Sequence, residues 1–181
     1  MADQIIWGIH AGKTGDADKL FMSQNVVAVG WQEMGDLNVP QTRDDYKKRY
    51  LQVFPGTSPA GVANSAGQLF RFVREMKVGQ LVAYPSRATR TIHVGRITGD
   101  YRYRPDLEVS YPNQRTVEWL KEVPRTALSR RRSVCRDTAP RRGGINDPVR
   151  GFDRIITGDL GELLTQARPL TTHPTVVPAR G

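Results

Sequence analysis

From Met76 to Ser86 the chain reads MKVGQLVAYPS, and from Thr91 to Tyr103 it reads TIHVGRITGDYRY. Upstream of this stretch the apolar residues Val62, Ala66, Leu69, Val73 and Met76 fall on one stripe at helical spacing. After Gly79 the pattern changes to short β-branched and aromatic runs bounded by turn residues. Gln80–Tyr84 and Thr91–Thr98 are therefore expected as strands, with Pro85, Ser86 and Arg87 in the turn between them. Gly79 stands where a C-terminal glycine would close the preceding helix. That change of period sets the fold class: helices and a sheet within one domain.

Working outward, QIIWGIH (Gln4–His10) reads as a buried strand that runs into a glycine-punctuated loop, Ala11–Asp16. VVAVGW (Val26–Trp31) is a second short strand, closing on Gly30-Trp31. Thr42 is expected as an N-cap, with Asp44 and Asp45 in the first turn and Tyr46, Tyr50 and Val53 on one face. Pro55-Gly56 stops that helix, and the next one starts at Ser58-Pro59. Thr116–Leu120 is a further strand candidate, and Asp159–Ala167 a short amphipathic helix. The expectation is an α+β domain over residues 1–167, a curved mixed β-sheet closing towards a small barrel with packed helices, and a flexible tail or linker over 168–181.

Composition narrows the function. No apolar run approaches the ~18 residues of a membrane span, no secretory signal is visible at MADQIIWGIH, and the single Cys135 excludes a disulfide framework. A cytoplasmic protein with no membrane partner is expected. Lys plus Arg number 27 against 18 acids, a formal charge of +9. Between Lys121 and Arg150 nine basic residues face three acids, so this segment supplies +6 of the total. Concentrated arginine suits a polyphosphate partner, because each guanidinium forks onto phosphate oxygens and releases condensed counterions. The plainer reading is a solvated basic surface.

No catalytic signature is present: there is no nucleophile elbow, no phosphate-binding P-loop, no zinc-protease helix and no cysteine pair. No catalytic residue, cofactor or metal is expected. His10, His93 and His173 are scattered, and His93 reads as a structural residue alternating within a strand. Asp100, Asp106 and Glu108 are close in sequence but lack the lysine pattern of a metal-dependent nuclease. Trp7 and Trp119 sit in apolar strands and read as core. Trp31 ends a strand before the polar stretch Gln32–Asp36, where an indole offers a platform for a base or plugs the barrel end. Tyr101 and Tyr103 alternate with Arg102 and Arg104, which suits base stacking with phosphate pairing, or an ordinary edge ribbon.

Taken in order, QIIWGIHAG, NVVAVGW, a helix, MKVGQLVAYPS and TIHVGRITGDYRY resemble the PUA-like superfamily, in particular its EVE and YTH branch. The G-D-Y-x-Y of Gly99–Tyr103 and the R-x-V-x-W of Arg115–Trp119 are similar to N-terminal domains of bacterial Mrr-type modification-dependent restriction proteins. The resemblance covers roughly Gln4 to Ser129. Gln80 departs from it, standing where the family's turn usually has Asp.

The resemblance implies a reader of modified, methylated double-stranded DNA that flips the base into an aromatic pocket. Trp31 would be the stacking platform. Ile9, His10 and Ala11 would read the base edge, with Ser86 across the mouth and Tyr101 or Tyr103 as the second wall. Arg102, Arg104, Arg115, Arg130, Arg131 and Arg132 would hold flanking phosphates. Any nuclease would be a fused domain or a partner. Two other readings stay open on the same scaffold. One is an ASCH-like nucleoside amidohydrolase, for which Lys13 and Thr14 are in the correct loop but no glutamate is obviously placed. The other is a YTH-like reader of methylated RNA.

Overall fold

The computed structural model describes residues 5–124, 152–156 and 168–169. Eight strands and three α-helices are present among them: β1 (Ile5–Ile9), α1 (Asp18–Gln24), β2 (Val26–Val29), α2 (Arg43–Val53), α3 (Pro59–Phe70), β3 (Leu81–Pro85), β4 (Thr91–Ile97), β5 (Arg102–Tyr103), β6 (Asn113–Pro124), β7 (Phe152–Ile156) and β8 (Arg168–Pro169).

The two longer helices follow their local chemistry. Thr42 caps α2 in a reciprocal box: its hydroxyl accepts the Asp45 N–H at 3.2 Å while the Asp45 carboxylate accepts the Thr42 N–H at 2.9 Å. Ser58 caps α3 by accepting the Gly61 N–H at 3.2 Å, with Pro59 in the first turn, where its missing N–H costs nothing. The stripe Val62, Ala66, Leu69, Val73 and Met76 is buried throughout. Beyond Phe70 the coil widens into a π turn, Arg71–Glu75, and Met76 is already extended. Gly79 is thus no helix cap. At φ +89° it makes the turn into β3, and its N–H donates to the Ile97 carbonyl at 2.8 Å.

The sheet runs β2-β6-β4-β3-β1-β7, with β5 and β8 also on β6. Among the described residues, only β1 and β3 pair in parallel, through Ile6↔Leu81, Trp7↔Val82 and Gly8↔Ala83. The mixed sheet curls into a half-barrel, so the coarse expectation of an α+β curved sheet holds. Val82 and Tyr84 face the main core with Trp7, Phe21 and Leu69, while Leu81 and Ala83 join Ile6, Ile92, Val94 and Val123 in a second cluster. A strand buried on both faces needs no polar alternation, which is why Leu81–Ala83 is an unbroken apolar run. Gly95 marks a register shift between β4 and β6. A Cβ there would stand 2.6 Å from Val117 and 2.8 Å from Trp119, so only glycine lets the strands pass this closely.

Four differences from the sequence reading stand out. α1 went unread, because Ala17 offers no capping side chain and Phe21 is the helix's only fully buried residue. β6 is longer than Thr116–Leu120, since its first residues are polar yet buried. β7 adds an antiparallel strand against β1 at a place where no strand is expected from the sequence. Arg168 and Pro169, the first residues of the stretch read as a tail, pair with Glu122 and Lys121. The remainder of that stretch and the helix expected at Asp159–Ala167 lie outside the described residues. Among the described residues, no helix is long and apolar enough to cross a membrane.

Candidate nucleic-acid interface

Parallel pairing of β1 with β3 brings Ile9–Ala11 and Ser86 out at the same edge of the sheet. Ile9 and Ala11 are buried there and His10 is exposed. Ser86 does not face an open mouth. Its hydroxyl donates to Asp18 Oδ1 at 2.7 Å, and the Tyr84 hydroxyl donates to the same oxygen. Ser86 N–H also donates to the Thr91 carbonyl at 2.9 Å. Ser86 therefore ties the β3–β4 turn to α1, a correction to its expected place on the base.

β2 ends at Val29, and the chain turns through Gly30 into Trp31, whose backbone is left-handed at φ +61°. That conformation is uncommon for any residue with a bulky side chain. The ring is 4 % exposed and belongs to the main core, so it is no open platform in this structure. Its Nε1–H is buried and has no hydrogen-bond partner among the described residues. Such orphan donors are rare, because burial without a partner forfeits the bond to water.

Tyr101 turns inward to fix the segment after Trp31. Its hydroxyl shares its proton between Asp36 Oδ1 at 2.8 Å and Asn113 Oδ1 at 2.5 Å, and it accepts the Leu37 N–H at 2.9 Å. Burial raises the Tyr101 pKa, so the hydroxyl stays protonated. Tyr103 and Arg102 are exposed on β5, and Arg104 pairs with Asp106 at 3.4 Å. Of the two tyrosines, Tyr103 has the surface ring.

Arg115 is not on a phosphate surface. At 3 % exposure it donates to the carbonyls of Phe72 (2.9 Å), Val73 (2.9 Å) and Gly99 (3.3 Å). The π turn leaves carbonyls that no helical N–H reaches, and the guanidinium fork satisfies them. Arg130, Arg131 and Arg132 lie outside the described residues. Thr14, offered for the amidohydrolase reading, donates its hydroxyl to Asp16 Oδ1 at 2.9 Å. His93 is buried, stacked on Tyr84 at 5.9 Å and edge-on to Trp119 at 6.0 Å, as a structural residue would be.

Sequence reasoning passed over Tyr111. Its hydroxyl donates to the Asp16 carboxylate and joins the start of β6 to the loop after β1. That bond is the main reason the Asp16 pKa is lowered, while burial raises that of Tyr111. Gly12, at φ +73°, must be glycine, because a Cβ would collide with the Tyr111 hydroxyl and Asp16. The Tyr111 ring also passes 3.8 Å from where a Cβ on Gly30 would stand. The loop Ala11–Asp16 and the Trp31 turn therefore meet on one tyrosine. Beside it lies a cleft of about 690 Å³ lined by Lys19, Leu20, Arg102, Arg104, Leu107 and Tyr111 among others.

Compared with known proteins, residues 7–134 match the family model described as Domain of unknown function (DUF8426). No curated protein matches the chain.

Proposed function

The chain belongs to this family of unknown function (DUF8426), and we propose that it is a PUA-like recognition module for modified, methylated double-stranded DNA, working within a modification-dependent restriction system. The observation that carries the reading is Trp31: a buried indole on a left-handed backbone whose one donor has no partner among the described residues. A flipped base offers a ring face for stacking and ring or carbonyl acceptors for that N–H, and the gain offsets an extrusion cost of a few kcal/mol. A methyl group on the base is withdrawn from water in such a slot. Trp31 is covered here, so the reading requires its turn to swing open. Gly30 and Gly35 bracket it, and Gly35 holds φ +65°, ψ −144°, a conformation that essentially only glycine adopts. The resemblance of the strand ends to the EVE and YTH branch supports the same assignment, as does the charge of +9.

The test is a binding panel of one duplex carrying methylcytosine, hydroxymethylcytosine, methyladenine or no modification, with matched RNA. At least tenfold preference for one modified DNA duplex is expected. Equal affinity across the panel, or preference for the RNA, overturns the assignment. Turnover of an acylated cytidine replaces it with the amidohydrolase reading.

A further inference from the structure

Two acids stand near the edge where β1 and β3 end, and both are held by hydroxyls. Asp16 accepts from Tyr111 and Thr14, and Asp18 accepts from Tyr84 and Ser86. Three cations surround the same edge without such partners. Lys13 lies in the loop after β1, and Arg87 and Arg90 in the β3–β4 turn; all three are exposed and make no ion pair among the described residues. Loop and turn are in contact, because Arg87 Cδ lies 3.7 Å from where a Cβ on Gly15 would stand. Arg90 adopts φ +59°, a backbone that glycine or asparagine would take with less strain. A long cation kept where the turn prefers a small residue points to use of the side chain rather than to the needs of the turn.

The cleft beside Tyr111 is a weaker candidate for a polyanion. Its Arg104 already pairs with Asp106, and Asp16 and Glu108 line it too.

We infer that Lys13, Arg87 and Arg90 form a phosphate-gripping rim that seats the backbone of a nucleic-acid duplex across the ends of β1 and β3. The inference rests on the reading of the chain as a duplex-binding module and assigns where the phosphates lie, a role the sequence had given to other arginines. Phosphate contacts position a duplex without reading its sequence. The rim therefore acts alike on modified and unmodified DNA.

The experiment measures affinity for an unmodified DNA duplex and for the same duplex carrying methylcytosine, hydroxymethylcytosine or methyladenine, between 50 and 200 mM salt, for the full chain and two triple variants. Lys13→Gln/Arg87→Gln/Arg90→Gln is expected to flatten the plot of log affinity against log salt by about 0.9 per lost contact, about 2.7 in all, so that its loss of binding is about fortyfold larger at 50 mM than at 200 mM salt. Lys13→Arg/Arg87→Lys/Arg90→Lys is expected to keep the parent slope, which shows that charge and not turn structure is at work. A glutamine variant with the parent slope, folded by its melting curve, overturns the rim. A parent that binds duplex with the rim's salt dependence but ignores base modification overturns the modified-base reading and leaves the rim standing. A parent that binds no duplex at 50 mM salt overturns both.

Discussion

The Trp7 indole N–H donates to Gln80 Oε1 at 2.7 Å, and the same oxygen accepts the Lys77 N–H at 2.9 Å. One amide thus closes the turn into β3 and satisfies a tryptophan that is 2 % exposed. At the position where the resembled family usually has Asp, Gln80 performs the turn-closing role and adds a cross-strand bond. Gln80→Ala removes both bonds and should cost ~1–3 kcal/mol, chiefly through the Trp7 donor left without this acceptor. Gln80→Glu keeps the acceptor and should melt close to the parent. Thermal melts of the two variants check this: equal losses would mean that the acceptor is not what matters.

What could be read from the sequence followed the range of the interactions. Thr42, Ser58 and the stripe from Val62 to Met76 act within a few residues, so the helices they define were legible. The start of β6 was not. Asn113, Gln114 and Arg115 look like a surface loop, yet each is buried with a partner outside the strand: Asn113 with Tyr101, Gln114 with the Tyr111 carbonyl, and Arg115 with Phe72 and Val73. A buried arginine and a phosphate-binding arginine are the same letter. Tyr111 and Asp16 are 95 residues apart, and no local pattern joins them.

Arg115 is accordingly expected to govern stability. Arg115→Ala withdraws donors from three carbonyls and leaves those of Phe72 and Val73 buried without them, for a loss of about 3 kcal/mol or more. Arg115→Lys should recover little, because a single ammonium does not reproduce a planar fork. Urea unfolding gives the stability. Duplex affinity at a temperature where both variants remain folded should match the parent's, and a selective loss of DNA binding with unchanged stability would return Arg115 to the phosphates.

Burial sets a pH dependence through His93. It pushes the imidazole pKa below the ordinary 6.5, while Glu122 and Asp18 pull it back. The unfolded chain takes up a proton near pH 6.5 and the folded protein does so only at lower pH, so stability falls as pH drops through that interval. His93→Gln should lessen the fall. Urea midpoints at pH 8, 7, 6 and 5 measure it in the variant and the parent. If the fall is the same in both proteins, the imidazole is not its source.

Trp31 separates packing from recognition. Trp31→Ala empties a core position that is 4 % exposed and should cost ~3–5 kcal/mol, enough to lower the melting temperature by roughly ten degrees. Lost binding in that variant would say little about the base. Trp31→Phe is the discriminating change, because it keeps an aromatic ring in the core while removing part of the indole's volume and the N–H that has no partner among the described residues. The left-handed backbone burdens Phe and Trp alike, and loss of an unsatisfied buried donor offsets part of the cavity cost, so the melting temperature should fall by clearly less than in Trp31→Ala. A donor spent on a flipped base would contribute ~0.5–1.5 kcal/mol, so the modified duplex should bind roughly two- to twelvefold more weakly. The unmodified duplex, held by its phosphates, should bind as before. If Trp31→Phe holds both duplexes as tightly as the parent does, the indole N–H is not aimed at a base and Trp31 closes the half-barrel as core alone.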